Sequence, residues 1–343
     1  MIPHSRPTLT GRDARALEQL IDSGMLAEGA AAAMLEQELA RLCGFADAVV
    51  VGSGCQALML ALRLRGVTAG SRVALPTYVC PEVLGVAEAL GAEPVLADCD
   101  ETYGIDPGDI ALAQGAGAPV VVLPWLFGHR LDMHRYASPS TIIVDWAQYF
   151  PATLVPRDEG VDLAIMSFEA TKMLAGGEGG AILCRSAAEA DAIRAMKRVT
   201  GSRYKLNLYP MSDLQAALVL SQLRQVPEFL ERRRQLADDY DRALSGLDGI
   251  GIPKRDPAVA PFRYVVRLRR DAGRLDAVIA EFARRGIAVR RPVAVMLHQI
   301  RQAGRAFPAA QRLFDESLSL PLYPALDDDD AVAVMQAATE ILA

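Results

Sequence analysis

The sequence has 343 residues, a length that accommodates two domains or one large domain with a smaller one attached. Hydrophobic residues make up 51% of it and charged residues 23%, which predicts a sizeable folded core and excludes bulk disorder. The formal net charge is −6 and no basic arm or lysine-rich stripe is present. Nucleic acid and anionic membrane surfaces are therefore excluded as expected partners.

The cysteine and histidine content argues against disulfides and a metal centre. The five cysteines are an odd number without a Cys-x-x-Cys pair, a pattern typical of reduced thiols in a cytoplasmic protein. The four histidines form no cluster with ligand spacing, so no metal site is predicted. No segment approaches the roughly 20 uninterrupted apolar residues of a membrane span. The N-terminus also lacks the apolar core of a signal peptide.

Seven short apolar runs, separated by helix-like segments, occupy the first 185 residues. They are Ala48–Val51, Arg72–Pro76, Pro94–Ala97, Pro119–Leu123, Thr141–Val144, Leu163–Phe168 and Ala181–Leu183. Because these runs are continuous rather than alternating, they are expected to be buried on both faces. The pattern predicts a mostly parallel seven-stranded sheet covered by helices, a large α/β domain.

Helix signals then divide the remainder of the chain. Asp106-Pro107 predicts a helix start, and Ser186 opens a helix expected to run to about Thr200. A long helical pattern covers Asp213–Leu247, with a break or a kink expected at Pro227. The last part predicts a small α+β domain built from strand Tyr264–Leu268, helix Gly273–Arg285, strand Ile287–Arg290 and helix Asp330–Leu342. We place the large domain at 1–225 and the small domain at 226–343.

Residues that could bind a ligand or take part in catalysis follow three of the predicted strands. Ser53-Gly54-Cys55 opens a helix after the first strand and suits an anion, although a plain capped turn explains it equally well. Asp145, which ends another buried strand, is either a capping aspartate or the partner of a cation. Lys172 lies between Ser167 and a glycine loop, as expected of a Schiff-base lysine. A phosphate cradle, a carboxylate and a lysine are the three contacts that pyridoxal phosphate requires.

With these motifs in order, the chain resembles the DegT/DnrJ-type family of pyridoxal-phosphate enzymes, mostly nucleotide-sugar aminotransferases of fold type I. The likeness covers nearly the whole chain. Its motifs are Ile21–Leu26, Gly52-Ser53-Gly54, Leu75–Tyr78, Asp145–Gln148, Ser167–Lys172, Gly176–Gly180, Met211–Ala217 and Leu318–Pro324. The resemblance implies an aspartate-aminotransferase-like fold and homodimers whose active sites are shared between subunits.

The same resemblance implies a role for each matched residue. Lys172 would bind the cofactor covalently and later move a proton at the substrate α-carbon. Asp145 would keep the ring nitrogen protonated, and Gln148 would contact the phenolic oxygen. The phosphate would be held by Ser53, Gly54, Cys55 and Ser167, together with an asparagine of the partner subunit, for which Asn207 is the candidate although it is offset by one position.

Departures from the family pattern gather on the substrate side. Cys80 occupies the place of the aromatic residue that usually stacks on the cofactor, and a plain buried cysteine is the competing interpretation. Trp125 replaces a frequent histidine and either packs against substrate or fills the core. Further candidate substrate contacts are Tyr78, Arg290 and His298. Arg290-Arg291 would clamp a carboxylate or diphosphate, or form a solvated basic turn.

Three functions are compatible with these patterns. The leading one is an aminotransferase that moves an amino group from glutamate or glutamine to a keto or aldehyde acceptor, a nucleotide-linked sugar. The second is another pyridoxal-phosphate reaction at an α-carbon of a non-sugar substrate, assisted by Cys80 or Cys55. A family dehydratase is disfavoured because those enzymes carry histidine in place of Lys172. The third is a regulatory relative without catalysis.

Overall fold

The computed structural model describes residues 1–136, 141–151, 160–200, 203, 205–252, 254–256, 259–270 and 272–343. The α-helices are α1 (Gly11–Ser23), α2 (Ala30–Cys43), α3 (Gly54–Leu64), α4 (Pro81–Ala89), α5 (Pro107–Gly115), α6 (Ala187–Lys197), α7 (Asp213–Leu244), α8 (Leu275–Arg284), α9 (Leu297–Arg301), α10 (Pro308–Glu316) and α11 (Asp328–Leu342). The strands are β1 (Asp47–Val51), β2 (Arg72–Pro76), β3 (Glu93–Ala97), β4 (Val120–Pro124), β5 (Thr141–Asp145), β6 (Leu163–Ser167), β7 (Gly180–Cys184), β8 (Arg198–Thr200), β9 (Lys205–Asn207), β10 (Ile250–Gly251), β11 (Tyr264–Leu268) and β12 (Ser317–Leu320).

The large sheet confirms the predicted α/β class. Its seven strands have the order β1-β7-β6-β5-β4-β2-β3, and β7 alone runs antiparallel to its two neighbours. Each predicted apolar run became a strand, with ends that differ by one residue at most. Since β1, β5 and β6 run in the same direction, their carboxyl ends meet at one edge of the sheet.

Two core clusters lie on the two faces of this sheet, and a third underlies the small sheet β10-β11-β12. The second cluster also takes in residues from α9 and α10, such as Leu297 and Leu313, so the C-terminal part packs directly on the large sheet. The proposed boundary between residues 225 and 226 falls inside α7 and remains a prediction. Among the helices of the described ranges, none is long and apolar enough to cross a bilayer.

Three sequence predictions need correction. The helix α7 continues through Pro227, because burial along its length offsets the cost of about 3 kcal/mol for an interior proline. The helix after Ser186 ends at Lys197, where the chain turns into β8. The segment 287–290 is not a strand, since it makes only single bridges, from Ile287 to Ile2 and from Arg290 to Ser319.

The start of α7 serves two helices at once. Ser212 caps α7 through the N–H of Gln215. The next residue, Asp213, is only 2% exposed and accepts hydrogen bonds from the N–H groups of Gly29, Ala31 and Ala32 at the start of α2. A carboxylate at a helix N-terminus pairs with unsatisfied donors and with the helix dipole. The helices α2 and α7 are therefore joined by this one side chain.

We predict that Asp213→Ala lowers the free energy of unfolding by about 2–4 kcal/mol, because three charge-assisted hydrogen bonds from the N–H groups at the start of α2 to a buried carboxylate are lost. Urea unfolding followed by circular dichroism measures this difference. Asp329→Ala is the control, since Asp329 is exposed in the first turn of α11, and its effect is expected below about 0.5 kcal/mol. Equal effects of the two substitutions would contradict this role of Asp213.

Candidate active site

The three segments that contain the candidate phosphate, carboxylate and lysine residues meet at the carboxyl edge of the large sheet. Gly180 at the start of β7 lies opposite both Val51, which ends β1, and Ser167, which ends β6. A Cβ on Gly180 would lie 2.5 Å from the backbone oxygen of Ser53, so only glycine allows this approach. The close contact brings the loop after β1 against the end of β6.

The loop after β1 forms a cradle of backbone N–H groups. Ser53 caps α3 by accepting a hydrogen bond from the N–H of Gln56 at 3.2 Å. The N–H groups of Gly54 and Cys55, in the first turn of α3, have no partner within the helix. A Cβ on Gly54 would lie 2.8 Å from the Cβ of Ser167, which places the Ser167 hydroxyl beside the same cradle. A phosphate fits this arrangement of helix N-terminus and two serine hydroxyls.

Asp145 ends β5 and is 7% exposed. Its Oδ1 accepts a hydrogen bond of 2.8 Å from the N–H of Ala147. Burial raises the pKa of Asp145 above its usual value, while that hydrogen bond and the positive charge of Lys172 act in the opposite direction. A buried carboxylate of this kind is suited to a cationic partner such as a protonated ring nitrogen.

Lys172 is held in a tight turn between β6 and β7. Its N–H donates to the Glu169 oxygen, and the glycine loop closes the turn as the N–H of Gly176 donates to the Phe168 oxygen. The Nζ atom lies 5.7 Å from the centre of the Phe262 ring. The Lys172 charge acts on the pKa values of Asp145, Cys80 and Cys55, so these three side chains lie within electrostatic range of Lys172.

Gln148 connects this site to the loop after β4. Its Oε1 accepts a hydrogen bond of 2.9 Å from the N–H of Phe127, a residue with the left-handed φ of 60°. The Phe127 oxygen in turn accepts a hydrogen bond of 2.9 Å from the N–H of Phe262. With Oε1 engaged, the amide NH₂ of Gln148 is the group that remains to donate to a ligand.

The two predicted cysteines are neutral thiols. Solvent reaches Cys80 although protein atoms surround it, and this partial dehydration, followed by the negative charge of Asp145, raises its pKa to about 12. The pKa of Cys55 is also raised, first by burial and then by Glu82. Since the thiolate is the reactive form, neither residue is prepared for nucleophilic chemistry at neutral pH.

The candidate substrate contacts are dispersed. Tyr78 and Trp125 are each 0% exposed and belong to the core clusters, so their side chains offer no face to a substrate in this structure. The Nδ1 atom of His298 lies 2.8 Å from the Thr77 hydroxyl, and its ring stacks on Phe307. Arg290 is exposed and lies close enough to Arg263 to affect its pKa.

Asn207, the candidate for the partner's active site, lies in the exposed strand β9. Its Oδ1 accepts a weak hydrogen bond of 3.4 Å from the N–H of Tyr209. Phe262 and Arg263, which come from the segment before β11, were not predicted from the sequence. No motif or periodicity marks this segment, and only the tertiary structure brings it to Lys172. Within the described ranges, no three His, Cys, Asp or Glu side chains are grouped to hold a metal ion.

Comparison with known proteins agrees with this geometry. The sequence model of the DegT/DnrJ/EryC1/StrS aminotransferase family matches residues 7–339. The spore coat polysaccharide biosynthesis protein SpsC of Bacillus subtilis (strain 168) is 29% identical over 380 aligned positions, which cover 99% of this chain and 97% of SpsC. The aminotransferase TlmJ from Streptoalloteichus hindustanus has a similar structure, with a TM-score of 0.90, 27% identity and coverage of 100% and 99% of the two chains.

A third similar structure is the PLP-form of the putative sugar aminotransferase Spr1654 from Streptococcus pneumoniae. Its TM-score is 0.89 at 22% identity, and the alignment covers 99% of this chain and 98% of that one. At this identity the similarity bears on the fold alone. Together with TlmJ, it confirms the aminotransferase-like fold that the sequence predicted.

We predict that Cys80 of the cofactor-free protein is alkylated by iodoacetamide at pH 8 at least about tenfold more slowly than in the urea-unfolded chain. A thiol with a pKa of about 12 carries far less thiolate at that pH than an ordinary cysteine with a pKa of about 8.5. Mass spectrometry of the peptide that contains Cys80, sampled over time, gives both rates. Equal rates in the folded and unfolded protein would contradict the neutral thiol.

Proposed function

Because the chain belongs to the DegT/DnrJ/EryC1/StrS aminotransferase family, we propose that it is a pyridoxal-phosphate aminotransferase acting on a nucleotide-linked keto sugar. The amino donor is an amino acid, glutamate or glutamine. The observation that carries the proposal is the meeting of Lys172, Asp145 and the Ser53-Gly54 cradle at one sheet edge. The similarity to SpsC, a protein of polysaccharide biosynthesis, supports a carbohydrate acceptor.

The cofactor phosphate is held at the start of α3. The N–H groups of Gly54 and Cys55 donate to it, and the hydroxyls of Ser53 and Ser167 lie at the same place. The helix dipole adds to this attraction. Asn207 of the partner subunit supplies a further donor, as the family resemblance implies.

The ring of the cofactor is held by side chains from the loops after β4 and β5. Asp145 stabilises positive charge on the ring nitrogen, because the buried carboxylate is poorly solvated and gains from a cation beside it. The free amide NH₂ of Gln148 donates to the phenolic oxygen. Cys80 lies within range of both Asp145 and Lys172 and covers part of the ring in place of an aromatic residue.

Lys172 performs the proton transfers. When bound, pyridoxal phosphate supplies an electron-accepting ring that makes a proton on the neighbouring substrate carbon removable. The Nζ atom of Lys172 would accept and later release that proton, as a general base and acid on one flexible stem. The tight turn after β6 limits the positions that Nζ reaches.

The proposal includes a homodimer in which each subunit completes the other's site. Leu206 in the strand β9, which carries Asn207, and Leu208 directly after it present exposed apolar side chains. On the loop before α2, Met25 is also 69% exposed. Apolar patches of this kind are typical of protein–protein interfaces. We also place the protein in the cytoplasm, in keeping with five cysteines that are all free thiols.

The neutral state of both nearby cysteines weighs against the alternative of a cysteine-assisted reaction. A thiol with a raised pKa is a poor nucleophile and a poor base at neutral pH. The observed placement of Cys80 requires no chemistry beyond contact with the cofactor. The aminotransferase therefore accounts for the site with Lys172 as the one group that moves protons.

We predict that Gly54→Ala raises the dissociation constant of pyridoxal phosphate at least about tenfold, because the added Cβ would lie 2.8 Å from the Ser167 Cβ and force the cradle apart. Fluorescence titration of the cofactor-free protein with pyridoxal phosphate measures this dissociation constant. Gly85→Ala is the matched control, since a Cβ at Gly85 in α4 meets open space. If the folded Gly54→Ala variant bound pyridoxal phosphate with unchanged affinity, the proposed phosphate site at the start of α3 would be contradicted.

We predict that Lys172→Ala abolishes the covalent cofactor adduct that borohydride fixes in the wild-type protein, and lowers the rate of amino transfer at least about a thousandfold. Mass spectrometry detects the adduct, and the absorbance change on adding glutamate or glutamine reports the transfer. Lys172→Arg, which keeps the charge but cannot form the adduct, is expected to be equally inactive. An adduct that persists in Lys172→Ala would disprove the assignment.

A further inference from the structure

Arg263 is a partly buried cation whose side chain has no hydrogen-bond acceptor within the described part of the chain. It precedes β11, and its Nε and Nη1 atoms are buried with no hydrogen-bond partner among the described residues. Other arginines of the small domain differ: Arg233 donates to the oxygens of Phe262 and Leu322, and Arg267 pairs with Glu316. Leaving buried donors unpaired is costly, so such a group is suited to receive an anionic ligand.

The surroundings of Arg263 contain a second cation and no balancing carboxylate among the groups that affect it. Burial, and then the positive charge of Arg290, lower its pKa to about 10, so it stays charged at neutral pH. The groups that act in the opposite direction are Tyr78 and Cys80, which are both neutral at that pH. Two like charges held together favour an anion between or beside them.

Arg263 and Lys172 approach the same aromatic ring. The Arg263 Cζ atom lies 5.4 Å from the centre of the Phe262 ring, and the Lys172 Nζ atom lies 5.7 Å from it. The two cations are therefore at most about 11 Å apart, the sum of these distances. Cys80 is also close enough to affect, or be affected by, both charges. Arg263 thus borders the place where an amine meets Lys172.

We propose that Arg263, assisted by Arg290, binds a carboxylate of the amino-acid donor while the donor's amine is held beside Lys172. This inference rests on the proposed aminotransferase function. A guanidinium fork matches a carboxylate in shape and charge. A sugar diphosphate is the other anion of the reaction, but its sugar ring separates it from the reacting carbon, whereas an amino acid carries a carboxylate next to the amine.

The first test is calorimetric binding of glutarate, a dicarboxylate that has no amine and cannot react, to the protein loaded with cofactor. We expect wild-type protein to bind it, Arg263→Met to bind it at least about tenfold more weakly, and Arg263→Lys to lie between them. Arg242→Met, at an exposed arginine near the end of α7, is the control and should bind like wild type. Thermal melting checks that each variant is folded.

Inorganic diphosphate, titrated in the same way, distinguishes the two anions. If Arg263→Met loses affinity for diphosphate but not for glutarate, Arg263 serves the acceptor and the inference is overturned. It is also overturned if wild-type protein does not bind glutarate, or if Arg263→Met binds it normally.

Single half-reactions separate this inference from the function on which it rests. With glutamate or glutamine alone, we expect Arg263→Met to raise the half-saturating donor concentration at least about tenfold. Conversion of the pyridoxamine form by the acceptor alone should remain within about twofold of wild type. If wild-type protein converts no amino donor yet binds glutarate through Arg263, the aminotransferase proposal fails and the carboxylate site remains. If donor conversion is normal in Arg263→Met, this inference alone fails.

Discussion

The close approach of two backbone segments at Gly180 is the constraint on which the candidate site depends. The strand β7 runs antiparallel between β1 and β6, and its first residue has no side chain to hold the Ser53 turn away. As a result, the cradle at the start of α3 and the hydroxyl of Ser167 face the same space. A larger residue at Gly180 would separate the phosphate site from the strand that leads to Lys172, whatever the sequence of the two loops.

The electrostatics of the site follow from burial more than from ion pairing. Asp145 and Cys80 have raised pKa values chiefly because water is replaced by protein around them, and the Lys172 charge opposes that effect in both. The carboxylate gains from a cation, while the thiol stays protonated and inert. One environment therefore makes a neighbouring cation favourable for Asp145 and keeps the Cys80 thiol protonated.

The sequence predicted the seven strands of the large sheet and the family's cofactor, while the roles of the individual site residues remain predictions. Continuous apolar runs such as Thr141–Val144 can be recognised as strands from the local sequence. The residues that directly follow them then lie at the carboxyl edge of the sheet. By contrast, 287–290 has a similar apolar character without becoming a strand, because its potential partners, Ile2 and Ser319, contribute only single bridges. No local sequence pattern marks Arg263 as a candidate site residue, because its interest depends on its position relative to Lys172, which is distant in the sequence.

The loop after β4 connects the loop after β5 to the segment before β11 through Phe127. Its N–H donates to Gln148 and its oxygen accepts from Phe262, so a single residue fixes the Gln148 amide and the ring that borders Lys172 and Arg263. Phe127 makes both bonds from the left-handed region, with φ of 60°, which is unfavourable for a bulky side chain and persists only where its surroundings impose it. The next residue, Gly128, has no room for a Cβ, which would lie 2.6 Å from the Phe262 nitrogen. The strained turn at Phe127 and Gly128 is thus the point at which two loops from different parts of the chain are held against each other.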